Sequence, residues 1–233
     1  MNKIKKTLYT LNIDNYAPEL TAITFPLMKK YADKIGAEFY VIDQRIITKD
    51  RPELPCVLEK LQIYNLGREH QNDWNLFFDA DTMIHPQMYD PTSVVTKDIT
   101  ISGYSSDFIP VRFRPDEYFL RDGRMIGKGN WCGIASDWCL DYWHPLDDIS
   151  YEEAFEHIYP TVDETTTVVT REHLIDDFIV SRNIARYGLK HILLTDVGKN
   201  FNHEPHYLAH QYLMPIEQKE VWMQKVLTEW KLA

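Results

Sequence analysis

The chain has 233 residues, 44% of them hydrophobic and 26% charged, and a formal net charge of -10. That length leaves room for one large α/β domain with a sizeable core, while the acidic balance excludes a duplex-DNA reader, so nucleic acid is not an expected partner. Three cysteines without a CxxC pair point to neither a disulfide framework nor a structural zinc site, and no run of about 18 apolar residues calls for membrane insertion.

The basic start MNKIKKTLYT is followed only by a short apolar alternation, so the expectation is a soluble, cytoplasmic chain without a leader. KTLYTL (Lys6–Leu11) is the first strand, and Pro18–Ile35 carries apolar residues at helical spacing until Gly36. AEFYVID (37–43) is a second strand. Strand, helix and strand in that order imply a right-handed crossover and parallel pairing. After a loop with Pro52 and Pro55, VLEKLQIYNLG (57–67) repeats the helical pattern through Leu58, Leu61, Tyr64 and Leu66, with Gly67 as its stop. NLFFDADTMI (75–84) is a third strand and ITISGY (99–104) a fourth. Residues 105–130 lack a clean period and read as a long functional loop, in which Arg112, Arg114, Arg121, Arg124 and Lys128 concentrate positive charge. REHLIDDFIVSRNIARYG (171–188) is a helix with Leu174, Phe178, Ile179 and Ile184 inward, and HILLT (191–195) follows it as a strand. In the tail (215–232) Trp222, Val226 and Trp230 recur four apart among charges of mixed sign, which predicts a helix docked on the domain. The whole predicts an α/β fold: a mixed, mostly parallel, Rossmann-like sheet flanked by helices.

Asp79 and Asp81 stand where the third strand leaves the sheet, and ligands of open α/β sheets gather at the carboxyl ends of strands. Two such carboxylates repel each other unless a cation joins them. Mg²⁺ or Mn²⁺ prefers oxygen ligands and keeps positions free for phosphates. A solvated turn capping a following helix is the plainer alternative. FNHEPHYLAHQYL (201–213) offers His203, His206 and His210 as a third ligand, because a neutral imidazole suits manganese beside carboxylates. HYLA reads as a short strand that delivers His210 at its end, with His203 the runner-up.

The ordered set TLNIDNYA (10–17), EKLQIY (59–64), FFDADTMI (77–84), NWCG (130–133), LIDDF (174–178) and YLAHQY (207–212) resembles metal-dependent glycosyltransferases of the GT-A fold, and among them glycogenin-like retaining enzymes. The resemblance implies a single domain over 1–233, with 1–100 as the nucleotide-binding half, 101–215 as the acceptor side and 216–233 as a C-terminal helix. It implies transfer of a sugar from a nucleotide-diphosphate sugar, a UDP-hexose, to a glycan or other acceptor hydroxyl, with retention. Thr10, Leu11, Asn12 and Tyr16 fall where the nucleoside is held, with Tyr16 stacked on the base; a core-packing tyrosine is the alternative. Lys60 matches a lysine near the donor's phosphates or sugar, although a surface lysine would look the same. Asp79, Ala80 and Asp81 match the metal and ribose turn, and His210 the metal-ligating histidine. Asn130 and Gly133 match a small-residue loop on the sugar side, with Trp131 as a candidate acceptor contact. Asp176 and Asp177 match the acidic pair facing the transferred sugar; helical periodicity does not choose between them.

The sequence also departs from that pattern. After His210 the segment QYLMPIEQK lacks the glycine and lysine-proline-tryptophan set of the family. LFFDADT also satisfies the motif of haloacid-dehalogenase-like phosphatases, in which Asp79 would be the nucleophile and Asp81 a general acid. That family opens with the motif, whereas two strands precede it here. A catalytically silent sugar-nucleotide or glycan-binding module is the remaining alternative.

Overall fold

The computed structural model describes residues 4–103, 120–121, 124–125, 131–159, 170–199, 207–211 and 214–232. Its centre is a mixed, mostly parallel six-stranded sheet in the order β2-β1-β3-β8-β5-β9. The strands are β1 (Lys6–Leu11), β2 (Ala37–Ile42), β3 (Trp74–Phe78), β5 (Ile99–Ser102), β8 (Cys132–Ser136) and β9 (Lys190–Leu193). β1 pairs in parallel with β2 and β3, and β5 with β9, while β8 runs antiparallel between β3 and β5. Two short ribbons lie apart from it: β4 (Met83–Ile84) with β10 (Leu208–Ala209), and β6 (Leu120–Arg121) with β7 (Arg124–Met125).

Both faces of the sheet are covered, which is why its central strands read as nearly continuous apolar runs. Successive residues of β1 and β3 point to opposite faces. Leu8, Leu76 and Phe78 pack with Met28 and Tyr31 of α1 (Pro18–Ile35) and with Leu194 and Val197 of α5 (Leu194–Lys199). Tyr9 and Phe77 pack on the other side with Ile63 of α2 (Ile63–Glu69), Tyr142 and Trp143, and Val180 and Ile184 of α4 (Arg171–Tyr187). Outside that layer, Leu174, Ile175 and Phe178 bury Ala154 of α3 (Tyr151–Glu156). The tail forms α6 (Ile216–Glu229), whose Met223 and Val226 pack on Leu20, Leu27 and Met83. No helix among the described residues is long and apolar enough to cross a membrane.

Several local expectations change. The run 75–84 is not one strand, because it turns at Asp79, where the Thr82 N–H donates to the Asp79 carbonyl at 2.9 Å. The helix expected over 57–67 begins as a 3-10 helix, Cys56–Gln62, and becomes α2, which continues through Gly67 to Glu69. Gly67 is required by contact rather than by chain reversal: a Cβ there would lie 2.8 Å from Asn75 Oδ1 and 2.8 Å from Leu140 Cδ2. Gly133, expected in a small-residue loop, lies instead within β8, all five of whose residues are buried. HILLT ends as a strand at Leu193, where α5 begins. The segment 105–130 contains the β6–β7 ribbon; Arg112, Arg114 and Lys128 lie outside the described residues.

Gly67→Ala should therefore lower stability by about 1–3 kcal/mol through overpacking against Asn75 and Leu140. Urea denaturation followed by circular dichroism measures it, and an unchanged midpoint would contradict the tight helix-to-strand contact.

Candidate functional site

The turn after β3 places two carboxylates at the carboxyl end of the sheet's central strands. The Asp79 N–H donates to the Trp131 carbonyl at 2.8 Å, fixing the turn to the start of β8. The Thr24 hydroxyl of α1 donates to the Ala80 carbonyl at 2.5 Å, fixing it from the other side. The turn is thereby held in the plane of the sheet by the chain entering β8 and on one face by α1.

Lys60 reaches the turn from the 3-10 helix. Its Nζ lies 2.7 Å from Asp79 Oδ1 and 2.6 Å from Asp176 Oδ2. The preceding residue, Glu59, faces the other way and accepts from the backbone N–H groups of Ile46, Ile47 and Thr48 at 2.8, 2.9 and 2.8 Å. Adjacent charges of opposite sign thus have separate tasks: Glu59 pins the loop after β2, and Lys60 neutralises the site. Burial works to lower the Lys60 ammonium, but Asp176 and Asp79 outweigh it and hold it above its ordinary range.

Asp81 has its own partners, an ammonium and an imidazole. The Lys219 ammonium of α6 donates to Asp81 Oδ2, and His210 Nε2 lies 3.4 Å from Asp81 Oδ1. Burial tends to raise the Asp81 carboxyl, yet His210 and Lys219 together hold it below the usual carboxylate range. Asp79 is driven the other way, upward, by burial with Asp81 adding to it and Lys60 opposing. Asp81 is therefore the firmly ionised member of the pair.

His210 emerges at the end of β10, which the β4 ribbon seats beside the turn. Its ring stacks on Trp131, with centroids 5.2 Å apart and planes 8° from parallel. Trp131 is wedged in turn: a Cβ on Gly103 would lie 2.2 Å from its ring. The indole thus orients the imidazole. Ligand atoms of Asp79, Asp81 and His210 all lie within 4.8 Å of one another. Two carboxylates and one imidazole fit a hard to intermediate divalent cation such as Mn²⁺ or Mg²⁺.

The chain leaving β1 borders the same place. Thr10 is fully buried, and the Asn12 N–H donates to the Ile42 carbonyl at 2.8 Å while its Oδ1 is buried without a hydrogen-bond partner among the described residues. Asp14, Asn15 and Ala17 have φ of 56°, 55° and 41°. Such left-handed backbone costs about 1–3 kcal/mol per residue where no glycine relieves it, and persists only when the surroundings impose it. Tyr16 is 39% exposed as a whole, but the partial desolvation of its hydroxyl, with Asp81 and Asp79 adding to it, raises that group above its usual range. Tyr16 thus lies within the field of the paired aspartates.

Of the residues singled out in the sequence, Lys60, Asp79, Asp81, Asp176 and His210 come together, and Tyr16 borders them. Lys60 is 3% exposed, so the solvated-surface alternative does not apply. Asp176 meets Lys60, and its neighbour Asp177 is also buried. Leu11 ends β1, and Gly133 is a strand residue paired with Phe77 and Ser102. Asn130, His203 and His206 lie outside the described residues. Lys219 is the site residue that the sequence reading missed. Its signal was present: Lys219 falls on the same helical stripe as Met223 and Val226, the buried face of α6.

No protein-family model matches the sequence, and no curated protein matches it. Among solved structures, a glycosyltransferase involved in the glycosylation of the major capsid of PBCV-1 superposes with a TM-score of 0.53 over 96% of this chain and 100% of that one, at 8% identity. At that identity the likeness is one of fold. A protein from STIV, at 16% identity over 58% of this chain and 67% of that one, reaches a TM-score of 0.33 and carries no argument.

Removing the Lys60 ammonium leaves Asp79 and Asp176 facing each other without their shared cation. Lys60→Ala should cost about 3–5 kcal/mol of folding stability, the range for breaking one side of a buried ion pair. Chemical denaturation at neutral pH reads this directly; a loss under about 1 kcal/mol, the level of an exposed pair, would contradict the buried triad.

Proposed function

We propose that the protein is a metal-dependent glycosyltransferase that moves a sugar, a hexose, from a UDP-sugar to an acceptor hydroxyl with retention. The observation that carries this reading is the convergence of Asp79, Asp81 and His210 within 4.8 Å at the carboxyl end of β3. The fold likeness to a glycosyltransferase supports it.

Charge balance supports the metal. Asp79, Asp81 and Asp176 face the ammonium groups of Lys60 and Lys219, so carboxylates outnumber lysines. A diphosphate entering that site would meet excess negative charge unless a divalent cation came with it. Asp79, Asp81 and His210 would hold Mn²⁺ or Mg²⁺, which when bound would stabilise the charge growing on the departing diphosphate.

The remaining roles follow from position. Thr10, Leu11 and Asn12 at the end of β1 would cradle the nucleoside, and Tyr16 would stack on the base. Ala80 keeps the backbone close at the turn. By the family resemblance alone, Asn130 and Gly133 would border the sugar, and Asp176 and Asp177 would receive its hydroxyls. Lys60 acts in this reading as the group that fixes Asp79 and Asp176. Asp176 is tied to Lys60, and Asp81 to Lys219 and His210. That engagement favours a route in which the departing phosphate oxygen takes the acceptor's proton, instead of a carboxylate base. We read residues 1–233 as one domain, with 1–100 serving the nucleotide, 101–215 the acceptor and 216–233 closing on the site. The cysteines Cys56, Cys132 and Cys139 are free, which suits a reducing, cytoplasmic setting.

Asp81→Asn should abolish sugar transfer and Mn²⁺-dependent UDP binding in calorimetry while circular dichroism stays native. Transfer near the parent rate would overturn the metal reading. Hydrolysis of p-nitrophenyl phosphate with Mg²⁺ and an aspartyl-phosphate at Asp79 would instead identify a phosphatase. Proton NMR of the product's anomeric signal decides retention.

A further inference from the structure

Lys219 has no place in the roles above beyond charge balance, yet its contact is specific. The side chain is 7% exposed, and its ammonium holds Asp81 Oδ2 from the first turn of α6. Asp81 Oδ1 faces His210 Nε2 at 3.4 Å. Both oxygens of Asp81 are therefore engaged, one by an imidazole that suits a divalent ion and the other by a competing cation. An ion ligated by Asp81 and His210 would stand within a few ångströms of the ammonium, and like charges at that range in a buried site strongly disfavour each other. α6 itself is anchored through Met223 and Val226. The lysine stem has four rotatable methylenes, so the ammonium can leave Asp81 without the helix moving.

We propose, building on the metal-dependent reading, that Lys219 is an internal competitor of the divalent ion. It neutralises Asp81 while the ion is away and gives up that carboxylate only when another anion offers it a partner. The anion that enters this site in the proposed reaction is the diphosphate of the donor. Metal alone therefore binds weakly, metal and nucleotide diphosphate bind cooperatively, and the linkage is reciprocal. An ion is thereby retained mainly when donor is present.

The test is a Mn²⁺ titration followed by electron paramagnetic resonance, with and without UDP, on the full chain and on Lys219→Met, Lys219→Gln and Lys219→Arg, each checked for native circular dichroism. The neutral variants should bind Mn²⁺ alone at least about tenfold more tightly than the parent. The factor by which UDP tightens Mn²⁺ should fall about tenfold in them. Lys219→Arg keeps the charge and should keep the weak metal-only binding. If the parent binds Mn²⁺ and neither neutral variant binds it more tightly, or the UDP factor is unchanged, the competitor role is wrong while the metal site stands. Should no form bind Mn²⁺ with or without UDP, the metal reading itself falls, and this inference with it. Metal binding by the neutral variants but not by the parent would support the competition in its strongest form. A purely structural lysine would leave the UDP factor unmoved.

Discussion

Two carboxylates one residue apart at the end of a fully buried strand set the terms for the rest of this molecule. Taking each from water costs several kcal/mol, and their mutual repulsion adds to that. The fold answers with two ammonium groups and an imidazole drawn from distant parts of the chain. Lys60 comes from the connection between β2 and β3 and bridges Asp79 to Asp176 of α4. Lys219 comes from the C-terminal helix, and His210 from the ribbon before it. The elements that pack the two faces of the sheet therefore also deliver its compensating charges to one edge.

This arrangement explains why the surroundings of the turn are so constrained. Asp79 N–H is tied to β8 and the Ala80 carbonyl to α1, so neither aspartate can swing away from its partners. Trp131 fills the space beside Gly103 and stacks on His210, which sets the plane of the imidazole by contact. The segment after β1 accepts left-handed backbone at Asp14, Asn15 and Ala17 and so keeps Tyr16 beside the same charges. Local strain and buried charge are concentrated at one end of the sheet, where a charged ligand would restore the balance.

Much of the framework was legible because its long elements carry strong periods. β1 and α1 match the predicted spans, and α4 differs only at its final glycine. The failures have physical causes. β8 is five residues of mostly small side chains, and its strand character comes from pairing with β3 and β5 on either side, a tertiary effect. α3 was not foreseen, although Ser150 followed by Glu153 is a capping pattern and Ser150 Oγ does accept from the Glu153 N–H at 3.0 Å. Gly67 looked like a helix stop because sequence alone cannot distinguish a glycine needed for a positive φ from one needed for a close approach. At the site, Asp79 and Asp81 announced themselves by position, and His210 by the short strand before it. Lys219 was marked only by its place on the apolar stripe, and a single lysine there acquires a role only when the carboxylate it meets, 138 residues earlier, is known.

Anomalous scattering from crystals grown with Mn²⁺ and UDP tests most directly whether Asp79, Asp81 and His210 share one divalent ion. A single manganese peak within coordination distance of all three side chains is the predicted result. A peak that leaves out Asp81 or His210, or UDP bound with no manganese at this turn, would contradict it.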